Sequence, residues 1–441
     1  MTIYETTPVW ANCPLVYSWV KQRDYRPLVI SRGEGIYIWD NKGQKYADFA
    51  SAQISVNVGY NHPAIQSAIS AQLKQIAYAA PPHRTEAEIE LAEAVADVSP
   101  PGLNHVFFTN TGSEGIETAI KIARAVSGRH KIYSAWQSYH GATLGASSVS
   151  GDPRRLFSEA GTASQPKFHY PNCYNNPFGS NDPDTIAAIT LAILASQIEY
   201  DGPETVAAIL IEPIVGTSGL YVPPTSFIVG LRALCDRFDI LLIFDETMCG
   251  WGRTGRWFAC NHFSVAPDIM VTAKGITSGY IPFGCVVMTT PIYEFFLDRP
   301  FVAGSTTEGH ALGCAAGLAN INVYKKENLI VRSAEYGTRL LEGLVELKNR
   351  HPSVGDVRGR GLFTCLELTS DKTLQTPLAG YRNSLQDVAT PLSKRLLELG
   401  ISTLVKWDFV FVAPPLVINA TQIDDALDRI DDALKTTDAM L

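Results

Sequence analysis

The middle of the chain alternates short apolar runs with stretches of helical spacing. The runs are HVFFTN (105–110), KIYSAW (131–136), VAAILIEP (206–213), ILLIFDE (240–246), DIMVTAK (268–274) and GCVVM (284–288). Strands that are apolar along nearly their whole length are typical of a parallel sheet covered by helices on both faces. We therefore predict an α/β fold with a mainly parallel sheet in this part of the chain.

The two ends of the chain show different patterns. Residues 33–49 alternate apolar and polar positions around a turn, which predicts a hairpin. Later the sequence predicts an amphipathic helix (335–350), a strand region (357–368), a helix (384–399), a strand pair and a last helix (422–435). This order predicts an α+β lobe that the N-terminal residues join. The predicted divisions are 1–65 for an N-terminal segment of the small domain, 66–330 for the large domain and 331–441 for the C-terminal small domain.

Composition narrows the class of protein. Of the 441 residues, 46% are hydrophobic and 18% charged, and the formal net charge of −8 argues against a nucleic-acid partner and for a small-molecule ligand. No apolar run approaches the roughly 20 residues of a membrane span, and the N-terminus lacks the pattern of a signal peptide. The eight cysteines form no CxxC pair, so we predict no metal site and expect a reducing cytoplasm.

Polar residues follow the predicted strands where a parallel sheet binds its ligands, outside the carboxyl ends. After the run at 105–110, Gly112 and Ser113 begin a predicted helix, whose N-terminus favours an anion. An ordinary helix cap explains the same residues. Glu212 ends the run at 206–213 before a proline, and a structural ion pair is its alternative role.

Two further strand ends carry residues of opposite charge. Asp245 ends the run at 240–246, where an ionised carboxylate needs a cationic partner, although a helix cap is also possible. Lys274 ends the run at 268–274 among small residues, where burial favours a neutral, nucleophilic amine, although most lysines are solvated. An anion loop, a carboxylate and an amine together are what pyridoxal-5′-phosphate (PLP) requires: a phosphate site, an acid on the pyridine nitrogen and a Schiff-base lysine.

Longer motifs resemble those of the class III aminotransferases, which have PLP fold type I. The resemblance extends from GEGIYIWDNKGQKYADFASAQISVNVGYNHP (33–63) to PPL (414–416), and its most specific words are DETMCGWGRTG (245–255), PDIMVTAKG (267–275) and TSGYIPFG (277–284). It implies that Lys274 forms the Schiff base and moves protons, and that Asp245 keeps the pyridine nitrogen protonated. It also implies that Glu212 supports this region and that residues 66–330 form the PLP-binding domain.

The resemblance assigns the remaining cofactor contacts. It implies that Gly112 and Ser113 bind the phosphate and that Tyr139 stacks on the cofactor ring. It implies that Thr306 reaches the phosphate of the neighbouring subunit, and therefore an obligate homodimer. Arg358 matches a family arginine of the small lobe, which we interpret as structural.

Departures from the family pattern indicate the branch. The family commonly has Val and Gln after the Asp-Glu pair, and here Thr247 and Met248 give a more polar contact below the ring. Ornithine- and 4-aminobutyrate-type enzymes have a second Glu after the Glu-Pro motif, and Thr217 stands at that place. The sequence is thus more similar to the ω-amine:pyruvate branch.

The predicted substrate-binding residues depart further from the family pattern. That branch often has an arginine about nine residues before Ala-Pro-Pro-Leu, where this chain has Leu404 and, nearby, Lys406 as a possible point-charge substitute. Ile54 stands where that branch commonly has a tryptophan in the substrate pocket. Tyr17 and Trp19 are candidates for the amine pocket, with core packing as the alternative.

We expect a homodimeric aminotransferase that moves an amino group from a primary amine or ω-amino acid to a small keto acid, with pyruvate as the acceptor. The alternatives are a 2-oxoglutarate-dependent diamine or amino-acid aminotransferase, and an aminomutase or decarboxylase of the same fold. A nucleotide-binding protein or a non-catalytic module is disfavoured. No G-x-G-x-x-G follows a strand, no Walker lysine is present, and both the lysine and the aspartate are retained.

Overall fold

A computed structural model describes residues 14–23, 25, 27–158 and 165–441. The first elements are β1 (Ile30–Glu34), β2 (Tyr37–Asp40), β3 (Lys45–Asp48), α1 (Ser51–Ile54), α2 (Pro63–Gln75) and α3 (Glu86–Val98). The middle contains β4 (Leu103–Thr109), α4 (Gly112–Ser127), β5 (Lys131–Ala135), α5 (Leu144–Ser148), β6 (Lys167–Phe168), α6 (Pro183–Asp201), β7 (Val206–Ile211), α7 (Thr225–Phe238), β8 (Leu241–Asp245), β9 (Ile269–Ala273), β10 (Gly284–Thr289), α8 (Thr290–Phe295) and α9 (Ala311–Lys326).

The last part contains α10 (Leu329–Arg350), β11 (Val354–Arg360), β12 (Phe363–Asp371), β13 (Thr376–Pro377), α11 (Ala389–Glu398), β14 (Ile401–Ser402), β15 (Val405–Lys406), β16 (Phe409–Val412) and α12 (Ala420–Asp438). Short 3-10 turns lie at Pro153–Phe157, Pro203–Thr205, Ala259–His262, Lys274–Ile276 and Tyr381–Asn383.

The middle strands form a seven-stranded sheet in the order β4-β10-β9-β8-β7-β5-β6. The pairs β9–β8, β8–β7, β7–β5 and β5–β6 are parallel. Every residue of β7 and β9 is buried, as expected of strands covered on both faces. The predicted α/β fold with a mainly parallel sheet is confirmed.

Strand β10 departs from the parallel pattern. It pairs antiparallel with both β9 and β4. A parallel return needs a crossover of about a dozen residues or more, usually a helix, and only residues 274–283 separate β9 from β10. An apolar run does not show strand direction, so the length of this connection was the only signal in the sequence.

Helix α4 begins beside the sheet edge at which the candidate residues lie. The Thr111 side chain caps it by accepting a hydrogen bond from the backbone N–H of Glu114, and Gly128 ends it in the left-handed conformation. Its buried face contains the predicted residues Ile116, Ala119, Ile120 and Ala123. The cap and the buried face together fix the point at which the first turn meets the sheet.

The C-terminal part forms its own antiparallel sheet, β11-β12-β16-β15, with β13 paired to β12. The N-terminal hairpin β2–β3 joins this part because β3 pairs in parallel with β14. The predicted helix at 384–399 begins later, at Ala389, after the 3-10 turn at Tyr381–Asn383. The division at residues 65 and 330 stays a prediction. In the described ranges, no helix combines the length and the apolarity that a membrane crossing requires.

Helix α1 is a single left-handed turn. Its four residues all have positive φ, which costs roughly 1–2 kcal/mol for each residue other than glycine. Asp48 offsets part of this cost by accepting hydrogen bonds from the backbone N–H groups of Ala50 (3.0 Å) and Ala52 (2.7 Å). The Ser51 hydroxyl donates to the carbonyl oxygen of Ala413 (2.6 Å), so the turn is also fixed to the C-terminal part.

Candidate active site

Three neighbouring parallel strands carry the predicted charged residues to one edge of the sheet. Strand β8 ends with Asp245, β9 is followed directly by Lys274, and β7 is followed directly by Glu212. Because β7, β8 and β9 are adjacent and run in the same direction, their carboxyl ends meet. The structure thus brings together residues that are separated by up to 62 positions in the sequence.

Asp245 is almost fully buried and is held from two sides. Its Oδ2 lies 2.9 Å from Nδ1 of His140, and its Oδ1 accepts a hydrogen bond from the backbone N–H of Thr247 (3.0 Å). The His140 side chain is itself buried. These contacts fix the orientation of a carboxylate that burial alone would disfavour.

Glu212 links two loops through hydrogen bonds to their backbones. Its Oε1 accepts from the backbone N–H of Tyr139 (3.1 Å), and its Oε2 accepts from the backbone N–H of Gly216 (2.7 Å). Burial raises the pKa of Glu212 to about 7, and the negative charge of Asp245 acts in the same sense against the opposing effect of His140. The side chain therefore positions the Tyr139 loop at the sheet edge.

Lys274 has an unusual environment for a lysine. Burial lowers its pKa to about 8, although the charges of Asp245 and Glu212 act to raise it. Its backbone has φ +47°, which directs the chain away from β9 at this point. Within the described part of the chain its amine makes no hydrogen bond or ion pair. An amine in this state is available as a nucleophile near neutral pH.

The start of α4 approaches two other loops very closely. A Cβ at Gly112 would lie 3.1 Å from Cγ2 of Thr247, and a Cβ at Gly141 would lie 2.4 Å from Oγ of Ser113. The Ser113 hydroxyl oxygen accepts a hydrogen bond from the backbone N–H of Ala142 (3.2 Å). Glycine at both positions lets the backbone N–H groups of the first helical turn face this edge, where they favour an anion.

An aromatic and charged cluster lies beside these loops. The Cζ atom of Arg154 lies 3.6 Å from the ring centroid of Tyr139 and 5.6 Å from that of Trp19. Arg154 Nε donates to Oδ1 of Asp152 (2.8 Å), and Lys406 Nζ donates to Oδ2 of the same carboxylate (2.6 Å). Burial would raise the pKa of Asp152, but these two cations hold it at about 2.

The other predicted substrate and dimer residues lie in different surroundings. Tyr17 packs edge to face on Tyr25, with ring centroids 5.0 Å apart. Ile54 lies in the core with 2% of its surface exposed. Thr306 is exposed, and its carbonyl oxygen accepts a hydrogen bond from the Tyr78 hydroxyl (2.5 Å). The roles predicted for these three residues stay predictions.

Arg358 is bound by main-chain and acidic groups. Its Nη1 lies 2.6 Å from Oε2 of Glu367 and 2.8 Å from Oδ2 of Asp356, and its Nε donates to the carbonyl oxygen of Gly219 (2.8 Å). These contacts join the small lobe to the loop after β7. They agree with the interpretation of Arg358 as structural.

Comparison with known proteins identifies the family. The family model described as "Aminotransferase class-III" matches residues 20–434. This chain is a class III aminotransferase. Class III aminotransferases use PLP, and their fold is PLP fold type I.

Individual relatives of this aminotransferase span nearly its whole length. Taurine–pyruvate aminotransferase of Bilophila wadsworthia is 33% identical and is covered over 96% of both chains. Putrescine–pyruvate aminotransferase of Pseudomonas aeruginosa is 34% identical over 92% of this chain and 91% of that protein. The solved structure of taurine:2-oxoglutarate aminotransferase from Bifidobacterium kashiwanohense, in complex with PLP and glutamate, has a TM-score of 0.93 and 38% identity over 96% of both chains.

The residues of this class III aminotransferase fit the cofactor. The Lys274 amine is unpaired within the described residues. The buried Oγ1 of Thr247, close to Gly112, likewise has no hydrogen-bond partner there. These groups and the first turn of α4 present an amine, a hydroxyl and an anion site at one edge. When bound, PLP supplies an electron sink for the carbanion formed at the substrate carbon.

The sequence did not predict two groups of this aminotransferase site. His140 carried no predicted role, and its only signal was its place beside Tyr139 after a predicted strand. Asp152 and Arg154 were also missed, although an Asp-Pro pair is a recognisable start of a helical turn. Both groups matter through contacts over long sequence separations, which no local pattern encodes.

Proposed function

We propose that this class III aminotransferase moves an amino group from a primary amine or an ω-amino acid to a small keto acid, with pyruvate as the acceptor. The observation that carries the proposal is Lys274, a part-buried amine without a partner in the described residues, directed to the same edge as Asp245. The taurine–pyruvate and putrescine–pyruvate enzymes that the chain resembles support this substrate class.

Lys274 holds the cofactor and then moves protons. With a pKa lowered by burial to about 8, roughly a fifth of its amine is neutral at physiological pH, far more than for an exposed lysine. A neutral amine at this place would hold the cofactor through its aldehyde, and once the substrate has taken that place the released amine would accept the proton of the substrate carbon. Its place directly after β9 limits its movement to the side-chain torsions.

Asp245 would hold the nitrogen end of the cofactor ring and keep a proton on that nitrogen. Its contact with His140 and with the backbone N–H of Thr247 fixes the carboxylate before the cofactor binds. Glu212 keeps Tyr139 in place through the backbone of the loop. Preorganised groups of this kind lose little free energy to reorientation during the reaction.

The remaining contacts concern the phosphate and the subunit interface. Gly112 and Ser113 would hold the phosphate end of the cofactor, while Tyr139 and Thr247 would contact its ring from the loops after β5 and β8. Thr306, which is exposed, would complete the phosphate site of a second chain. The working unit is then a homodimer, and we place it in the cytoplasm.

Thr217 supports the proposed substrate class. Its carbonyl oxygen accepts a hydrogen bond from Lys406 (3.1 Å), and its hydroxyl lies 3.4 Å from Nη2 of Arg154. A glutamate at this position would add a negative charge beside the arginine. Threonine adds no second negative charge beside the arginine, which distinguishes this site from the ornithine type.

A second acceptor, 2-oxoglutarate, is favoured by one observation. The solved structure at 38% identity is a taurine:2-oxoglutarate aminotransferase with glutamate bound. The donor half of the reaction is the same for both acceptors. They differ in the length of the acid that the substrate pocket accepts.

The test is a matrix of donors and acceptors with purified holoenzyme. Donors are taurine, β-alanine, putrescine and 1-phenylethylamine, each with pyruvate or 2-oxoglutarate, and the products measured are alanine and glutamate. We expect kcat/KM for pyruvate to exceed that for 2-oxoglutarate by about tenfold or more. A preference for 2-oxoglutarate would replace the acceptor in the proposal, and failure to transaminate any donor would refute the proposal.

A further inference from the structure

We propose that Arg154 recognises the acid group of the substrate, a carboxylate or a sulfonate, and that Lys406 acts only by positioning it. The inference deepens the proposed function and rests on it, since it concerns substrates bound next to Lys274. The acid group is then bound at the turn Pro153–Phe157, and not by Lys406 in the C-terminal lobe.

The guanidinium of Arg154 lies at the site. It packs over the ring of Tyr139, 3.6 Å from the centroid, and Glu212 holds the backbone of that tyrosine. Trp19 lies on its other flank, 5.6 Å from Cζ. The charge of Arg154 also acts on Lys274, whose pKa it helps to lower beyond the effect of burial. The arginine is therefore close enough to influence the amine that the substrate meets.

Most N–H donors of the Arg154 guanidinium have no acceptor among the described residues. Nε donates to Asp152, Nη2 has only a long contact of 3.4 Å with the hydroxyl of Thr217, and Nη1 has no partner in the described part of the chain. The side chain is 26% exposed. A part-exposed guanidinium with one free Nη and one weakly bound Nη can present the fork that binds an oxyanion with two parallel hydrogen bonds.

Lys406 is in a different state. Its amine donates to Asp152 (2.6 Å) and to the carbonyl oxygen of Thr217 (3.1 Å). It therefore neutralises Asp152, whose side chain is 2% exposed, instead of offering its charge to a ligand. With Asp152 shared between two cations, the three side chains carry one net positive charge. That charge lies on the group with free donors, which is Arg154.

The shared carboxylate also restrains the arginine. Asp152 begins the 3-10 turn, and its Oδ1 accepts from both the backbone N–H (3.0 Å) and Nε (2.8 Å) of Arg154. One edge of the guanidinium is thus fixed, which reduces the loss of side-chain entropy when a ligand binds the other edge. A substrate acid group meets a donor that is already oriented.

The test separates anionic from neutral donors in the same variant. Arg154→Gln and Arg154→Lys holoenzymes are mixed with each donor in the absence of acceptor, and the decay of the visible cofactor band is followed. For Arg154→Gln we expect the second-order rate constant to fall about 10- to 100-fold with β-alanine and taurine, as for a lost charge-assisted hydrogen bond. With neutral 1-phenylethylamine it should change by less than about twofold. Arg154→Lys should recover part of the loss with the acids.

Arg155→Gln is the matched control, because it removes the same charge from the next residue. Arg155 packs on Trp136 (5.2 Å) and its Nη1 donates to the carbonyl oxygen of Gly151, whereas Arg154 packs on Tyr139. This variant should react with all donors at the wild-type rate. An equal loss with acids in both variants, or an equal loss with neutral and acidic donors in Arg154→Gln, overturns the proposal.

A binding measurement keeps the inference separate from the proposed function. Propionate and ethanesulfonate carry the acid group but no amine, and their affinity for the holoenzyme is measured by calorimetry. We expect Arg154→Gln to weaken both, and Lys406→Met to weaken them less than Arg154→Gln does. Wild-type affinity in Arg154→Gln overturns the inference even if transamination is found. Absent transamination with Arg154-dependent anion binding instead refutes the proposed function alone.

Discussion

Among single residues, burial shifts the proton affinities of Lys274 and Glu212 in opposite senses. A buried cation loses hydration, so the pKa of Lys274 falls to about 8, and a buried carboxylate loses hydration too, so the pKa of Glu212 rises to about 7. Both pKa values therefore lie near neutral pH. Perturbed groups clustered at one edge are typical of an active site.

The pKa of Lys274 predicts how the apoenzyme takes up its cofactor. Only the neutral amine attacks an aldehyde, and lowering its pKa to about 8 means that this form increases as the pH rises through that value. The rate at which the visible band forms after PLP is added should rise between about pH 7 and 9 and then level off. A rate that keeps rising through pH 10, as for an exposed lysine, would contradict this assignment.

Asp245→Asn tests the partner of the ring nitrogen. The amide keeps the shape and the contacts with His140 and Thr247 but removes the charge, so the electron sink weakens. We expect the variant to bind PLP and to be coloured, while its half-reaction slows by about 100-fold or more. Asp239→Asn, at an exposed carboxylate, is the control and should react normally. A near-normal rate in Asp245→Asn would remove this residue from the mechanism.

At the scale of elements, three strand ends and one helix start form the site. The order β9-β8-β7 brings the lysine and the two acids together, and α4 brings its first turn to the same edge. The loop after β5 packs against the start of α4, because Gly141 lies next to Ser113. Elements with few local degrees of freedom hold the side chains more precisely than loops alone.

Gly141→Ala tests this close approach. The new Cβ would lie 2.4 Å from Oγ of Ser113, and the glycine has φ +144°, so Ser113 or the loop must move. We expect the affinity for PLP to fall about tenfold, by analogy with the loss of one or two phosphate hydrogen bonds. Equilibrium titration of the apoenzyme measures it.

Gly128→Ala is the control for backbone strain. Gly128 also has a positive φ (+68°), but a Cβ there meets no atom within 4 Å. It should lower stability by roughly 1 kcal/mol without changing PLP affinity. If both variants bind PLP equally well, the contact between the two loops is not important for the cofactor.

The strand ends that form the site could be predicted from the sequence, but the side-chain contacts between them could not. Apolar runs ending in Glu212, Asp245 and Lys274 could be recognised because a buried strand has a simple pattern and its end is marked by polarity. The pairing of His140 with Asp245 joins residues 105 positions apart, and such pairings depend on side-chain placement after folding. The antiparallel direction of β10 was not predicted because an apolar run does not show in which direction the strand runs.

Substrate residues were the least predictable. Lys406 was identified from its spacing to the Ala-Pro-Pro-Leu motif, but whether its charge is available depends on Asp152, which lies 254 positions away. Arg154 has no sequence signal except its helical turn. Charge–charge pairing across the fold decides which cation is free, and a single sequence does not show it.

In the whole molecule, Arg253 joins the parts that enclose the site. It is fully buried, and its Nη2 donates to Oδ1 of Asn57 (2.6 Å) in the N-terminal part, while its Nη1 donates to the carbonyl oxygens of Pro414 (2.5 Å) and Leu362 (3.2 Å) in the C-terminal part. Burial lowers its pKa to about 10, so it stays charged at neutral pH. One guanidinium thus satisfies acceptors from both ends of the chain.

Arg253→Met should destabilise the protein by about 3 kcal/mol or more, because several buried acceptors lose a charged donor. Arg253→Lys should recover little, since an ammonium does not span the same acceptors. Urea denaturation of the holoenzyme measures both, and Arg339→Met, at a half-exposed ion pair, is the control. A change below about 1 kcal/mol in Arg253→Met would show that these contacts do not hold the parts together.

The most direct test of the account is to find which lysine carries the cofactor. Borohydride reduction of the holoenzyme fixes the Schiff base as a stable amine, and mass spectrometry of the digested protein locates the pyridoxyl group. We predict that the pyridoxyl group is on Lys274. It should be absent from a Lys274→Ala variant that still binds PLP non-covalently. A pyridoxyl group on another lysine of the wild-type protein would contradict the account.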